Sequence, residues 1–211
     1  IRETSRKLNL LNSITRHDVA NQLTTLLGYT QLAMMKKPDP VIADFIAKIE
    51  ISAQVIRRQI EFTRAYQELG AGTPSWQAVG DLVLAAEPKN IAVTCACSSY
   101  EIYADPMLSK VFFNLFDNAV RHGEHVTAIS VRCMTEDEEL IVVVEDNGVG
   151  IPLNEKARLF QKGYGRNTGF GLFLTREILA ITGISISETG TQGRGARFEI
   201  RIPKGAYRPI S

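Results

Sequence analysis

No apolar run in this sequence approaches the roughly 20 residues that a helix needs to cross a bilayer, and the opening residues do not read as a secretory leader. Neither sign of charge is in excess: 24 Lys and Arg face 23 Asp and Glu, a formal net charge of +1. A nucleic-acid-binding protein is expected to carry a basic excess, so nucleic acid is not an expected partner. Cysteine is scarce. Cys95, Cys97 and Cys133 are odd in number and form no extended framework, which argues against a disulfide-stapled secreted domain and fits a reducing cytosol. Cys95 and Cys97 share parity with Val93 along an expected strand and read as small buried apolar side chains. No further ligands lie near them at metal spacing. What remains is an ordinary globular composition, 45% hydrophobic over 211 residues, enough for one large domain or for a small one and a medium one. The chain opens on Ile1 with helical periodicity almost at once, so it is expected to be a fragment with something upstream.

Two regions differ in period. Between residues 41 and 66, Ile42, Ile46, Ile49, Ala53, Ile56 and Ile60 recur at alternating spacings of four and three, one apolar stripe on a helix. Leu10, Ile14, Leu23, Leu26, Leu27 and Leu32 allow a similar helix from the start to about Lys36. Lys37-Pro38-Asp39-Pro40 breaks the two, so the chain doubles back as an antiparallel helical hairpin over residues 1–70. One hairpin buries little. A second copy would complete a four-helix bundle, so a homodimer is expected. Residues 71–75 read as a linker, and residues 76–211 as a second domain of mixed pattern. There, strands are expected at Ile91–Cys97, Glu101–Tyr103, Thr127–Met134, Leu140–Glu145, Ile184–Glu188 and Arg197–Ile202. Helices are expected from Asp105-Pro106 to His122 and from Gly171 to about Thr182. Asp and Pro suit a helix start and Gly123 a stop. The mixture predicts a two-layer α/β sandwich, giving an α + α/β chain overall.

Three clusters carry chemistry. Asp146-Asn147-Gly148-Val149-Gly150 follows an apolar strand. Glycines there let the backbone turn and approach a ligand, and a carboxylate at a strand end accepts a hydrogen bond from an exocyclic amine such as that of adenine. A plain hairpin turn is the competing reading. Gly163, Gly165, Gly169 and Gly171 precede an apolar helix. Free N–H groups and the dipole at a helix start favour phosphate, although the Gly-Lys-Ser/Thr ending of a P-loop is absent. A flexible structural loop is the alternative. Asn114, Asn118 and Arg121 share a helix face by their spacing. The two amides would be left unsatisfied if simply buried, whereas Mg²⁺ and phosphate oxygens would satisfy them and Arg121 would pair with phosphate.

Their order is more specific than any one of them. NLFDNAVRHG, then DNGVGI, then TGFGL resemble the asparagine box and two glycine boxes of Bergerat-type ATPases, and GRGARFEIRIP is similar to the closing strands of the histidine-kinase version. The resemblance covers about Trp76 to Pro203. It implies that Asp146 reads the adenine amino group of ATP and that Asn118, with Asn114, holds Mg²⁺. It also implies that Arg121 and His122 contact phosphates or ribose, that Gly148, Gly150, Gly169 and Gly171 shape the pocket, and that residues 151–168, with Phe160, form a lid. Asp117 stands in place of the more usual Glu, and His122 in place of the more usual Tyr.

His17 selects the branch. The segment SITRHDVANQL around it, Ser13-Ile14-Thr15-Arg16-His17-Asp18-Val19-Ala20-Asn21-Gln22-Leu23, resembles the histidine box of sensor histidine kinases. Imidazole is the side chain that offers a neutral nitrogen nucleophile near pH 7. Asp18 would hold one ring nitrogen and leave the other to attack. Phosphoryl transfer then needs mainly alignment and charge neutralisation. The resemblance implies autophosphorylation of His17, transfer to an Asp of a response-regulator receiver domain, and a second role for Asn21 in orienting water for phosphatase action. Asn21 lies one turn beyond His17 on the same face. Gln22 departs from the commonest pattern, which has Pro and a helix bend there. The expected location is the cytoplasm, whether as a soluble protein or as part of a membrane-bound sensor. A different Bergerat-type ATPase and a non-catalytic nucleotide-binding scaffold are the competing readings.

Overall fold

The computed structural model describes residues 2–164 and 169–210, with side chains described from His17 onward. The chain divides into two compact units, Ile1–Ala65 and Tyr66–Ser211.

The first unit consists of α1 (Arg2–Met35) and most of α2 (Pro40–Glu68). The reversal between them is local chemistry. Lys37 takes a left-handed φ of 51°, and Asp39 caps the new helix: its Oδ1 accepts the N–H groups of Val41 and Ile42 at 3.0 and 3.1 Å. Pro40 occupies the first helical position, where no N–H is needed. Helix α1 runs without interruption past Gln22, so the position that departs from the Pro-containing pattern sits in regular helix. The apolar stripe of α2 divides. Ile46 and Ala53 are buried, while Ile42, Ile49 and Ile56 are each more than 40% exposed. Leu26 of α1 and Phe45, Ile49, Ala53 and Ile56 of α2 line an open apolar groove.

The second unit contains β1 (Ser75–Ala78), α3 (Val79–Ala86), β2 (Ala92–Cys95), β3 (Tyr100–Ala104), α4 (Leu108–His122), β4 (Ala128–Glu136), β5 (Glu139–Asp146), α5 (Leu153–Lys156), α6 (Gly171–Ala180), β6 (Ser185–Glu188), β7 (Arg197–Ile202) and β8 (Tyr207–Pro209). Five strands form the main sheet in the order β2-β4-β5-β7-β6, and β1, β3 and β8 form a smaller one. Among the described residues, only β2 and β4 pair in parallel. Strand β5 is central, and Leu140 to Val144 are all buried. A run buried on both faces reads as continuous rather than alternating hydrophobicity. Helix α4 buries Leu108, Val111, Phe112, Leu115, Phe116 and Ala119, the 3-1-3-1-3 spacing of a single face, and it lies beside α3 and α6. Asn114, Asn118 and Arg121 occupy the rest of its circumference.

The α + α/β expectation holds, with local corrections. Helix α4 starts at Leu108 rather than at Asp105. Asp105 Oδ1 accepts the Met107 N–H at 2.8 Å, and its carbonyl accepts the Leu108 N–H at 2.9 Å. The Asp-Pro pair therefore builds a turn ahead of the helix. Strands β1 and β8 were not anticipated: each is short, and each exists by pairing with β3. The cysteine reading also changes. Cys97 is buried but bonded to Cys133 in a disulfide, with Cα atoms 5.2 Å apart, and Cys95 is exposed. The backbone turns after β2 and lays Cys97 against the β4 strand, a proximity that sequence separation hides. No helix among the described residues is long and apolar enough to cross a membrane.

Candidate nucleotide site and phosphoacceptor helix

Asp146 ends β5 and is only 8% exposed. Its Oδ1 accepts two backbone N–H groups, from Gly148 at 2.9 Å and Ala196 at 3.1 Å. Oδ2 receives no hydrogen bond from the described residues. Burial raises the carboxyl above its ordinary value; the charges of Glu188 and Glu145 add to the rise, and the two N–H bonds oppose it. The side chain is thus held by one oxygen and offers the other.

The loop after Asp146 is fixed from several sides. Asn147 Oδ1 accepts the N–H groups of Thr127 and Ala128, and its Nδ2 donates to Thr127 Oγ1 at 2.8 Å. Val149 N–H reaches Gly123 O, and Gly193 N–H reaches Val149 O. Glycine is required at two points. A Cβ on Gly148 would stand 2.5 Å from Gly123 O, and one on Gly195, whose φ is +104°, would stand 1.8 Å from Asp146 O. The end of α4, the 146–150 loop and the 189–196 loop therefore close on one another, with the Asp146 carboxylate between the second and the third.

On α4 the candidate residues have unequal surroundings. The Asn118 Nδ2 atom is buried without a hydrogen-bond partner among the described residues. An orphaned amide of this kind is costly unless something absent here accepts from it, so the site fits a nucleotide and its Mg²⁺. Asn114 is engaged: its Nδ2 donates to Gly171 O at 3.1 Å and to Thr175 Oγ1 at 3.2 Å, joining α4 to the start of α6. Arg121 Nε sits 2.6 and 2.7 Å from the two Asp117 carboxylate oxygens. His122 ends α4 and is exposed. Gly169 has a φ of +64° and Gly150 a φ of +69°. Gly171 opens α6, and a Cβ there would make only ordinary contact with Asn114. Gly165 and the lid positions 165–168 lie outside the described residues.

The described part of the expected lid segment, residues 151–164, makes contacts that sequence reasoning missed. Lys156 on α5 forms an ion pair with Glu188 Oε2 at 2.6 Å, where the Glu188 side chain is 1% exposed and that of Lys156 18%. Lys156 Nζ also donates to Gly190 O. Glu188 Oε1 accepts the N–H groups of Gly190 and Arg197 at 3.1 and 3.2 Å. Phe160 packs edge-on to Phe198 with ring centroids 6.4 Å apart. A signal existed in the sequence, an acid in phase with Ile184 and Ile186 at the end of β6, but its partner is 32 positions upstream.

On α1, His17, Asp18 and Asn21 meet as their spacing predicts. His17 Nδ1 lies 3.2 Å from Asp18 Oδ1, and Asn21 Nδ2 lies 3.4 Å from Nδ1 and 3.5 Å from Nε2. A carboxylate only accepts, so the tautomer that suits this contact has the proton on Nδ1 and the lone pair on Nε2. The His17 and Asp18 side chains are 74% and 69% exposed.

Known proteins resemble this chain in sequence and in fold. Residues 104–206 match the family model for histidine kinase-, DNA gyrase B-, and HSP90-like ATPases. Among curated relatives, the circadian input-output histidine kinase CikA of Synechococcus elongatus is 37% identical over 112 residues, covering 48% of this chain and 15% of that protein. The signal transduction histidine-protein kinase AtoS of Escherichia coli is 26% identical over 208 residues, covering 89% of this chain and 33% of that protein. The chain therefore spans a minor part of these relatives. Among solved structures, full-length ShkA in complex with AMPPNP superposes with a TM-score of 0.67 at 20% identity, covering 95% of this chain and 46% of that one. The Acinetobacter baumannii histidine kinase AdeS gives 0.59 at 18% identity, covering 88% and 96%. Both structural likenesses speak for the fold. The second unit is thus a Bergerat-type ATP-binding domain. Over nearly the whole chain, hairpin included, the likeness is to sensor histidine kinases.

Proposed function

We propose that this chain binds ATP in the pocket between α4, the 146–150 loop and α6, autophosphorylates His17, and passes the phosphoryl group to an Asp of a response-regulator receiver domain. The observation that carries the reading is the pairing of two arrangements in one chain. His17 has its Nδ1 side on a carboxylate, and Asp146 has one oxygen anchored and one open.

In the reaction, Asp146 Oδ2 accepts a hydrogen bond from the adenine amino group. Asn118 and Asn114 hold Mg²⁺ and the phosphates, and Arg121 and His122 meet phosphate or ribose oxygens. Gly148, Gly150, Gly169 and Gly171 keep the cradle open. When bound, Mg²⁺ supplies neutralisation of phosphate charge. His17 Nε2 attacks the γ-phosphorus; the new N–P bond forms as the bond to the bridging β–γ oxygen breaks, and ADP leaves. Asp18 keeps the Nδ1 proton hydrogen-bonded as charge develops on the ring. Asn21, one turn on, is placed to orient a water during dephosphorylation of the regulator. The chain acts as a homodimer through the exposed apolar groove of the hairpin, on the cytoplasmic side of the cell.

Incubation with γ-labelled ATP and Mg²⁺ tests the reading. The expected product is protein-bound label that is acid-labile and base-stable, absent from His17→Gln. Full labelling of that variant would reject His17 as the acceptor, and ATP binding without labelling would favour the scaffold reading.

A further inference from the structure

Thr175 is a hydroxyl in the wrong place for packing alone. It is wholly buried, one turn into α6, on the helix that also buries Leu174, Ile178 and Leu179. Valine has the same shape and no polar atom to satisfy. Among the described residues the hydroxyl has one engagement, the hydrogen bond it accepts from Asn114 Nδ2 at 3.2 Å. The other amide proton of Asn114 goes to Gly171 O at 3.1 Å. A carbonyl has no proton to give, so the nitrogen of Asn114, and not its oxygen, must face α6. The amide orientation follows from chemistry rather than from a choice between two similar atoms.

With both amide protons given to α6, Asn114 Oδ1 is left as a free acceptor near the start of that helix, 3.9 Å from where a Cβ on Gly171 would stand, and receives no hydrogen bond from the described residues. Asn118, one turn further along the same face, presents the complementary atom, a buried Nδ2 without a partner among the described residues. The face therefore offers an oxygen and an N–H side by side, suited to a hard cation and to a phosphate oxygen respectively. We infer that Thr175 is a positioning residue of the nucleotide site: by accepting from Asn114 Nδ2 it locks that amide with its oxygen towards the metal–phosphate end of the bound nucleotide. The inference rests on the ATP-binding reading above and adds to it the device that decides which atom Asn114 presents.

The test uses the full chain, with Thr175→Val, Thr175→Ser and the wild type compared by calorimetric ATP binding with Mg²⁺ and with chelator. Loss of one neutral acceptor sets the scale at about tenfold. Thr175→Val is expected to weaken Mg-ATP binding about tenfold, to leave metal-free ATP binding within about twofold, and to raise the Mg²⁺ concentration for half-maximal autophosphorylation. Thr175→Ser, which keeps the hydroxyl, is expected to match the wild type. Equal losses with and without metal would mark Thr175 as merely structural and overturn the inference, as would an unchanged Thr175→Val or a Thr175→Ser that fails to rescue. Should Thr175→Val melt before it can be assayed, Thr175→Cys, with a weak sulfur acceptor of similar size, carries the same expectation. A wild type that binds no Mg-ATP at all would reject the ATP reading itself, a result distinct from each of these.

Discussion

Asp146→Asn changes a single atom of the nucleotide site. In the folded protein Oδ1 accepts N–H groups from Gly148 and Ala196 at 2.9 and 3.1 Å. An asparagine at 146 keeps its oxygen there, because both neighbours can only donate, and so places its NH₂ where Oδ2 was. The fold loses little; the melting temperature should stay within about 2 °C of the wild type, since the two backbone bonds remain. Nucleotide binding loses a charge-assisted hydrogen bond from the adenine amine, about 1.5–3 kcal/mol, or roughly 10- to 150-fold in affinity at 1.4 kcal/mol per tenfold. A donor then faces a donor, which pushes the loss towards the upper figure. Calorimetry with ATP and with a purine nucleoside triphosphate lacking the 6-amino group isolates the contact. The wild type should prefer ATP, and the variant should bind both ligands alike. Binding of ATP by the variant within twofold of the wild type, or an equal loss on both nucleotides, would refute the reasoning.

The same residue sets a pH dependence. Burial raises Asp146 above its ordinary value, so wild-type ATP affinity should begin to fall, on acidification, at a higher pH than an exposed carboxylate would give, and Asp146→Asn should be flat through that window. The sign for stability is opposite. The folded state holds this proton more firmly than the unfolded chain does, so the penalty of the ionised carboxyl is present above the raised folded value. It is relieved as pH falls through that value and is gone below the unfolded value of about 3.9.

Two further outcomes are expected. Glu188→Ala leaves the Gly190 and Arg197 N–H groups without their acceptor and Lys156 without its counter-ion; a cost of about 3 kcal/mol should lower the melting temperature by roughly 8 °C and open the 153–160 segment to protease, and a change under about 2 °C would show that the pair does not fasten it. Ile49→Asp with Ile56→Asp, in the exposed groove of the hairpin, should shift sedimentation towards monomer at micromolar concentration while ATP binding by the second unit persists; an unchanged dimer would place the interface elsewhere.

Elements with strong internal periodicity were legible from the residues. The α2 stripe, the apolar β5 run and the buried face of α4 each follow from a repeat within one segment. So does the contact of His17 with Asn21, because helix geometry sets residues four apart on one face. The Asp39-Pro40 start of α2 was written in turn chemistry. Elements that exist by virtue of a partner were not legible: β1 and β8 are too short to carry a pattern and become strands only beside β3. The Cys97–Cys133 bond is of the same kind, since it joins positions 36 apart that β2 and the turn after it bring together.

The sequence by itself nominated the residues proposed to carry the chemistry: the order Asn118, Asp146, Gly171 downstream of His17 resembles an ATPase cradle with a phosphoacceptor helix, each motif offering a particular donor, acceptor or absence of side chain. Only the tertiary structure decided how those atoms are aimed. Asp146 offers Oδ2 because Ala196, 50 positions later, shares Oδ1 with Gly148. Asn114 offers its oxygen because Gly171 and Thr175, on another helix, take both of its protons. Local spacing sets what a side chain is and which face it occupies; hydrogen-bond direction is settled by neighbours that folding brings from far along the chain.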